Sequence, residues 1–541
     1  MDAVTDTPVP VNEPVRSYPP GSAERESLQR RVDELAKERT ELTCSIGGAH
    51  RMAGGDRLDV VAPHARDQVL GTTANSTGAD ATAALDAARQ AAPGWRELSY
   101  DDRAAVFLRA ADLLAGSWRD TLNAATMLGQ SKTCYQAEID AACELIDFWR
   151  FNVAFGRRLL AEQPISSPGV WNRVDHRPLE GVVYAITPFN FTAIAGNLPT
   201  APALMGNVVV WKPAVSQQLA AHHLMALLEA AGLPPGVINM VTGHGADVSD
   251  VVLDAADLAG IHFTGSTRVF QQLWRTVGAN IESYRSYPRV VGETGGKDFV
   301  VAHPSADLDV LRTALVRGAF EYQGQKCSAA SRAYVPRSLW GRLRDDLAAT
   351  TDGLSMGPVT DFSNFMGAVI DDRAYTRITA AIERAVADPD VTVLAGGSYD
   401  DEAGWFVRPT VLECTDPAAE YFRDEYFGPV LAVHVYEDDD FGPMLAQMES
   451  ASPYALTGAV IAQDRSAIAA TADALRYAAG NFYVNDKPTG AVVGQQPFGG
   501  ARASGTNDKA GALQNLQRWT STRSIKETLA PPTDHTYPHM G

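Results

Sequence analysis

One cysteine of the sequence lies in a setting where a substrate could reach it. Cys327 stands in the polar string Gln-Gly-Gln-Lys-Cys-Ser at residues 323–328. A thiolate in such a polar, flexible context could attack an electrophilic carbon. Taken alone, a single cysteine of a large protein is more often a small buried apolar side chain. Cys327 is therefore a candidate nucleophile whose assignment depends on the residues that accompany it.

A carboxylate with glycine neighbours precedes this cysteine by 34 residues. Glu293 lies in the string Gly-Glu-Thr-Gly-Gly-Lys at residues 292–297. Glycines on both sides let the backbone and a ligand approach closely, as a catalytic carboxylate requires. In isolation Glu293 could equally be a surface loop carboxylate, which is the commoner case.

Two glycine-containing turns could hold a phosphate group. In the string Phe-Thr-Gly-Ser at residues 263–266 a strand ends before a helical stretch, so free N–H groups and a helix dipole at Gly265 and Ser266 could hold a pyrophosphate. Alone, this pattern is equally a helix N-cap. The pair Gly243 and Gly245 also follows a strand, but Val248 occupies the third glycine position of a dinucleotide fingerprint, so a plain turn is favoured there.

Six motifs follow one another in a fixed order along the chain. They are Asn190 in Pro-Phe-Asn-Phe, Lys212 in Trp-Lys-Pro, the turn at 263–266, Glu293, Cys327, and Glu425 with Phe427 in Glu-Tyr-Phe-Gly-Pro. This array resembles the aldehyde dehydrogenase superfamily from end to end. A chance match of six ordered motifs is negligible, so the resemblance favours catalytic roles for Cys327 and Glu293 over structural ones.

Longer strings narrow the resemblance to one family. The strings at residues 188–193, 320–328 and 494–507 look like those of the Δ1-pyrroline-5-carboxylate dehydrogenases, and the likeness runs from about Asn12 to the carboxyl end. It includes the helical string from Gln136 to Phe148. This family oxidises L-glutamate γ-semialdehyde, the open form of Δ1-pyrroline-5-carboxylate, to glutamate in proline breakdown.

The resemblance implies a mechanism for three residues. The Cys327 thiolate would attack the aldehyde, while the Asn190 side-chain amide and the Cys327 backbone N–H would hold the oxyanion. Hydride transfer to a nicotinamide would leave a thioester. Glu293 would then remove a proton from the water that hydrolyses it.

The resemblance also implies NAD as the cofactor. It places the adenosine ribose at Lys212, the pyrophosphate at Gly265 and Ser266, and the nicotinamide ribose at Glu425. Phe427 would pack near the nicotinamide ribose, and Thr187 would also bind the cofactor. Many NAD-preferring relatives carry a glutamate three residues after the lysine, whereas this chain has Val215, so a carboxylate that excludes NADP is not expected.

The substrate site implied by the resemblance suits a small zwitterion with an aldehyde. Its α-carboxylate would meet the Ser328 hydroxyl and the N–H groups of Gly490 and Ala491, and its α-ammonium would meet Glu144. Phe191 and Phe498 would sandwich the methylene chain. Each phenylalanine could instead be an ordinary core aromatic.

Composition excludes several other classes of protein. The 541 residues carry a net charge of −19, which argues against a surface that neutralises nucleic-acid phosphates or binds anionic membranes. The most apolar stretch, 193–211, is interrupted by glycines, prolines and asparagines, so no transmembrane helix is expected. No signal or transit peptide is recognisable. The five cysteines are scattered and odd in number, which favours a reduced, metal-free, cytoplasmic protein.

These residues must be held by alternating strands and helices. Short β-branched runs with helical segments between them predict parallel sheets built from βαβ units. The first series is 181–187, 207–211, 237–242 and 260–264, and the second, after Gly296, is 332–336, 428–436, 457–463 and 481–485. A run of helices is predicted for 81–155. The class is therefore α/β, with a Rossmann-like domain and a second α/β domain joined near 292–297.

Domain bounds follow from these patterns and from the resemblance. We expect an N-terminal arm at 1–45, an NAD-binding domain at 46–165 and 181–293, and a catalytic domain at 294–515. Residues 166–180 and 516–541 resemble the two pieces of a small β oligomerisation flap, so a homodimer or higher homo-oligomer is expected. A separate proline dehydrogenase is a candidate partner. The rival interpretations are a dehydrogenase for another semialdehyde, an enzyme that transfers the acyl group to coenzyme A, and a non-enzymatic relative.

Overall fold

Helices and strands alternate through most of the chain, as the α/β class predicts. The structure, a computed structural model, describes residues 5–541, so the first four residues of the predicted arm lie outside it. The helices are α1 Ala23–Leu35, α2 Gly78–Glu97, α3 Tyr100–Ala115, α4 Arg119–Gln130, α5 Cys134–Ala137, α6 Leu145–Ala161, α7 Thr192–Leu204, α8 Gln218–Ala230, α9 Ala246–Asp254, α10 Thr267–Ala279, α11 Leu308–Phe320, α12 Arg337–Asp352, α13 Asp372–Ala387, α14 Glu420–Arg423, α15 Phe441–Ser450, α16 Arg465–Ala474 and α17 Leu513–Gln517. A π-helical turn, Glu138–Glu144, joins α5 to α6.

The first large sheet has seven strands in the order β11-β10-β7-β8-β9-β2-β3. They are β2 Cys44–Ile46, β3 Ala49–Arg51, β7 Val182–Thr187, β8 Val208–Pro213, β9 Ile238–Met240, β10 Leu258–Thr264 and β11 Arg289–Glu293. Strands β7 to β11 are parallel, and the helices α7 to α10 connect them in turn. The chain runs outward from β7 to β9 and then restarts at β10 on the other side of β7. Such a reversal of strand order leaves a crevice at the carboxyl ends of the two central strands.

The second large sheet also has seven strands, in the order β14-β17-β18-β13-β12-β20-β21. They are β12 Asp298–Ala302, β13 Ala330–Pro336, β14 Val391–Ala395, β17 Thr410–Cys414, β18 Val430–Tyr436, β20 Thr457–Ile461 and β21 Asn481–Val484. All neighbouring pairs are parallel except β14 with β17. All eight predicted strand segments coincide with strands of the two sheets. The sequence did not predict the other six strands of these sheets, which are β2, β3 and β11 in the first and β12, β14 and β17 in the second.

Four small sheets complete the fold. They contain β1 Thr40–Glu41, β4 Arg57–Ala62 and β5 Ala65–Ala74; β15 Tyr399–Asp400 with β16 Phe406–Val407; β19 Tyr454–Ala455 with β22 Ala501–Arg502; and β6 Val170–Pro178 with β23 Thr520–Thr528. The last pair is a ribbon whose nine residue pairs run antiparallel from Val170 with Thr528 to Pro178 with Thr520. No helix within residues 5–541 is both long enough and apolar enough to span a membrane.

The two large sheets meet where β11 ends and β12 begins. Glu293 is the last residue of β11, and Asp298 is the first of β12. Cys327 lies three residues before β13, which is the neighbour of β12. The carboxyl edge of the first sheet therefore faces the amino ends of β12 and β13, and the candidate site forms between them.

Candidate active site

The Cys327 loop is held in a left-handed turn by buried polar contacts. Tyr322, Gln323 and Gly324 all have positive φ, at 53°, 56° and 64°. The Gln323 side chain donates to the carbonyls of Ser131 and Ala368 and accepts from the Gly367 N–H, which offsets the cost of this conformation. Cys327 itself is 7% exposed. Burial raises the pKa of its thiol well above the usual range, and the carboxyls of Glu293, Asp298 and Glu425 add to the effect.

Glu293 is held by the glycine-rich segment at 494–507. Thr506 accepts a hydrogen bond at Oγ1 from the Gly292 N–H and donates its own N–H to the Gly292 carbonyl. The Gly500 N–H donates to Glu293 Oε1 across 3.1 Å. Burial raises the pKa of the Glu293 carboxyl well above its usual range, although this hydrogen bond and Lys509 oppose the shift. A carboxyl with a raised pKa is a stronger base once it is deprotonated.

A single cavity of about 470 Å³ contains most of the predicted catalytic and substrate residues. Its wall includes Glu144, Phe191, Glu293, Cys327, Ser328, Gly490, Ala491 and Phe498. These residues come from five separate parts of the chain. The sequence motifs showed only their order along the chain, and the fold brings them together in one cavity. Within residues 5–541, no group of three or more His, Cys, Asp or Glu side chains is arranged to hold a metal ion.

Asn190 lies behind this cavity rather than in its wall. Its side chain is buried, and Nδ2 donates to the carbonyl of Gln325 across 2.9 Å. One of the two N–H bonds of Nδ2 is used in this way, so the other remains available. The contact fixes the amide against the loop that carries Cys327, which is compatible with the predicted oxyanion role.

The polar end of the cavity contains the predicted zwitterion contacts. Ser328 Oγ is hydrogen-bonded to Thr489 Oγ1 at 2.8 Å, so the hydroxyl is held beside the loop that carries Gly490 and Ala491. Glu144 ends the π-helical turn. Burial raises its pKa to about 8, Asp140 adds to the shift, and Lys132 opposes it. An ammonium group beside Glu144 would therefore stabilise its charged form.

Phe191 and Phe498, the two phenylalanines predicted to contact the substrate, are half-buried and belong to the cavity wall. Behind the ring of Phe191, the Lys132 ammonium lies 4.3 Å from the ring centroid. Lys132 is fully buried and contacts Asp140 Oδ2 at 2.6 Å. Asp140 in turn accepts the N–H groups of Thr192 and Ala193 at the start of α7. Sequence reasoning missed this pair, because an Asp and a Lys in a helical stretch are usually exposed.

Residues of the N-terminal arm also line the cavity, which the sequence did not suggest. Asn12 Nδ2 donates to Asp147 Oδ2 and to the Val493 carbonyl, and Asn12 Oδ1 accepts from Gln495. Glu13 binds the buried guanidinium of Arg119 at 2.7 Å. Asn12, Glu13 and Val15 all belong to the cavity wall. The arm is therefore part of the site and not a separate appendage.

The predicted cofactor residues of the first sheet lie at its carboxyl edge. Thr187 ends β7, Lys212 is next to last in β8, and Gly265 and Ser266 follow β10. Thr187 Oγ1 accepts from the Trp211 indole at 3.0 Å, and Lys212 Nζ donates to the Gly243 carbonyl at 3.2 Å. Burial lowers the pKa of Lys212 to about 8. None of the four lines the cavity described above.

The groups at this edge fit a dinucleotide. Ser266 caps the 13-residue helix α10, whose amino end supplies N–H groups and a positive dipole for a pyrophosphate. A Cβ added to Gly245 would lie 3.4 Å from the Lys212 stem, so this turn packs directly against the lysine. The Gly243–Gly245 turn, which was not expected to bind the cofactor, thus borders its predicted ribose site.

Glu425 and Phe427 face this edge from the second sheet. Glu425 Oε1 accepts the Gly296 N–H at 2.8 Å, and burial raises the Glu425 pKa to about 7. Phe427 has φ of 53°, and its ring packs edge-on against Phe189 at 5.9 Å. The two residues line a narrow cleft together with Gly296 and Lys326. A carboxylate here suits the hydroxyls of a ribose, so the contact proposed for Glu425 is compatible with this position.

Known proteins of similar sequence identify the family of this chain. Residues 50–525 match the model of the family described as "Aldehyde dehydrogenase family". The chain belongs to the aldehyde dehydrogenase family. It is 46% identical over 541 residues to the mitochondrial Δ1-pyrroline-5-carboxylate dehydrogenase of Dictyostelium discoideum, covering 99% of this chain and 97% of the relative. The corresponding Bos taurus protein is 48% identical over 530 residues, covering 98% of this chain and 94% of the relative.

One solved structure has a higher sequence identity to this chain than these two relatives. The Δ1-pyrroline-5-carboxylate dehydrogenase of Mycobacterium tuberculosis, solved with NAD bound, is 63% identical to this chain. The match covers 100% of both chains with a TM-score of 0.97. The narrow family resemblance and the fold class predicted from the motifs are therefore confirmed.

Proposed function

We propose that the chain oxidises L-glutamate γ-semialdehyde, in equilibrium with Δ1-pyrroline-5-carboxylate, to L-glutamate with reduction of NAD. One observation carries the proposal: a single cavity joins the Cys327 thiol and the Glu293 carboxyl to a polar end suited to an amino acid. The relatives' names support the same substrate. This reaction is the second step of proline breakdown.

The acylation half-reaction begins at Cys327. Its thiol must lose its proton, after which Sγ bonds to the aldehyde carbon and the carbonyl oxygen gains the negative charge. The second Nδ2 hydrogen of Asn190 and the Cys327 N–H are the donors proposed for that oxygen. When bound, NAD would supply the oxidant that takes the hydride from this carbon, which would leave the acyl group on Cys327 Sγ as a thioester.

The hydrolysis half-reaction depends on Glu293. Its carboxylate removes a proton from water, the hydroxide oxygen bonds to the thioester carbon, and the bond to Sγ breaks. Glutamate leaves, and Cys327 takes up a proton. The contact from Gly500 keeps one Glu293 oxygen in place while the other is free to accept the proton.

The polar end of the cavity selects the substrate in this proposal. Ser328, Gly490 and Ala491 donate to the α-carboxylate, Glu144 accepts from the α-ammonium, and the Phe191 and Phe498 rings contact the methylene chain. A plain aldehyde leaves these groups unpaired, at a cost of about 1–3 kcal/mol for each neutral group. Steady-state NADH formation from synthetic Δ1-pyrroline-5-carboxylate, compared with propanal, tests the proposal. Equal kcat/KM values for the two would reduce it to a general aldehyde dehydrogenase.

We also propose that the chain forms a homodimer or higher oligomer through the β6–β23 ribbon. Large apolar side chains are exposed on or beside it, with Ile165 at 93%, Trp171 at 52% and Leu529 at 65%. Apolar groups on an open ribbon edge favour burial against a second copy. Light scattering of the wild type and of Trp171→Glu tests this interface. A monomeric wild type would contradict it.

We also propose a cytoplasmic location and a protein partner for this chain. All five cysteines are free and buried, which is compatible with a reducing, cytoplasmic setting, although the two curated relatives described above are mitochondrial. A separate proline dehydrogenase is the candidate partner, because it would supply the substrate. Cell fractionation and co-purification of the two enzymes test these points.

A further inference from the structure

A lysine that no motif singled out lies at the polar end of the substrate cavity. Lys487 follows β21, is half-buried, and lines the cavity that contains Cys327 and Ser328. It also lines a second cavity of about 320 Å³ beside α11. Lys487 therefore stands in the wall between the reaction site and an outer cavity.

The fold directs this side chain towards the carboxylate-binding loop. The Lys487 stem packs on α11 at Gly318, where an added Cβ would lie 3.4 Å from Lys487 Cβ. At the other end, Lys487 Nζ would lie 3.3 Å from a Cβ added to Gly490. Gly490 has none and adopts φ of 99°, so the ammonium sits beside the backbone proposed to bind the α-carboxylate.

Lys487 is the unpaired member of a charged cluster. Glu321 uses Oε1 to bind Arg317 Nε at 2.8 Å and Oε2 to bind Lys326 Nζ at 3.3 Å. Each Glu321 oxygen therefore already contacts one cation other than Lys487. The Lys487 ammonium has no ion pair or hydrogen bond to any other residue in 5–541. A partly buried cation without a partner favours an anionic ligand.

We propose that Lys487 binds the α-carboxylate of the substrate and is a specificity-determining residue of this enzyme. The inference rests on the proposed function, which supplies the carboxylate. Ser328 and the loop N–H groups are neutral donors, so their hydrogen bonds offset only part of the free-energy cost of desolvating an anion. The Lys487 ammonium adds a full positive charge and a further donor to these contacts, and its flexible stem lets it adjust to the bound carboxylate.

Three aldehydes of similar length separate the role of the carboxylate from that of the ammonium. L-Glutamate γ-semialdehyde carries both groups, glutaric semialdehyde lacks the amine, and 4-aminobutanal lacks the carboxylate. In the Lys487→Met variant, kcat/KM should fall roughly tenfold to hundredfold for the first two substrates, as expected for loss of one charged hydrogen bond. For 4-aminobutanal it should stay within about twofold of the wild type, because that substrate never uses the lysine.

Matched variants separate a binding role from a structural one. Lys487→Arg keeps the charge and should restore most of the loss for the carboxylate substrates. Arg342→Met removes a positive charge from an exposed position on α12 and should leave all three substrates unchanged. Calorimetric titration of glutamate should show weaker binding to Lys487→Met in parallel with the kinetics.

Each alternative outcome overturns the inference in a different way. An equal loss for all three aldehydes in Lys487→Met would make the lysine structural. No loss for any of them would leave the carboxylate to Ser328 and the loop alone. Failure of the proposed function is distinguishable from both, since the wild type itself would then show no preference for glutamate semialdehyde over the other two aldehydes.

Discussion

Asn190 and Gln325 are joined by a 2.9 Å hydrogen bond from the Asn190 amide to the Gln325 carbonyl, two residues before Cys327. This contact crosses from the start of α7 to the loop before β13, so it couples the two large sheets at the reacting cysteine. This hydrogen bond thus fixes the Asn190 amide, proposed to bind the oxyanion, relative to the loop that carries the Cys327 thiol.

Asn190→Ala should lower kcat by about 10²–10³-fold, the usual loss when one oxyanion donor is removed. Binding of NAD should change little, because the amide is proposed to bind the aldehyde oxygen and not the cofactor. Steady-state kinetics together with a cofactor titration measure the two effects. A kcat within threefold of the wild type would remove Asn190 from the oxyanion site.

Activity should rise from neutral to alkaline pH. Burial raises the pKa of both the Cys327 thiol and the Glu293 carboxyl, and each must be deprotonated to act. The deprotonated fraction of both groups increases with pH, so kcat/KM should increase in the same direction. In Glu293→Gln, the single-turnover rate of hydride transfer should still rise with pH, because Cys327 must still lose its proton. A rate that falls as pH increases would contradict the assignment.

Asp140→Ala should destabilise the protein by about 3–5 kcal/mol, because it leaves the fully buried Lys132 ammonium without its counter-charge. It also removes the acceptor for two N–H groups at the start of α7. Urea unfolding measures the loss. The exposed variant Asp439→Ala, in an acidic turn before α15, is the control and should change stability by less than about 0.5 kcal/mol. Equal effects of the two substitutions would contradict a buried ion pair.

Lys212→Ala should weaken NAD binding roughly tenfold or more, since a buried ammonium would lose its contact with a ribose hydroxyl. NAD should be preferred by the wild type, with measurable NADP activity at high concentration because Val215 presents no carboxylate to a 2′-phosphate. Val215→Glu should reduce NADP use selectively. An unchanged NAD affinity in Lys212→Ala would show that the ribose contact is misplaced.

The parts of this protein that follow local rules were predictable from its sequence. Strands such as β8 and β10 are mostly apolar and buried on both faces, as is typical of central parallel strands. Cys327 and Glu293 were found because each stands in a distinctive string whose order matches a family. The predicted α/β class and family are both confirmed by the similarity to known proteins.

The missed residues act through contacts between distant parts of the chain. Lys132, Asp140 and Lys487 each look like ordinary surface charges in the sequence, and only the folded chain buries the first two and leaves the third unpaired. Asn12 belongs to a proline-rich segment without periodicity, yet it closes one side of the cavity through Asp147 and Val493. No local pattern encodes these contacts of Asn12, because both partners lie more than 100 residues away.

The most direct test of the proposed chemistry is the intact mass of Glu293→Gln after incubation with Δ1-pyrroline-5-carboxylate and NAD. The variant should form NADH once and then hold a glutamyl group as a thioester on Cys327, since its amide cannot activate water. Cys327→Ala should form neither NADH nor adduct. Peptide mapping should locate the adduct on Cys327 and not on the other four cysteines. Normal turnover of Glu293→Gln without any adduct would contradict the thioester mechanism and the role of Glu293.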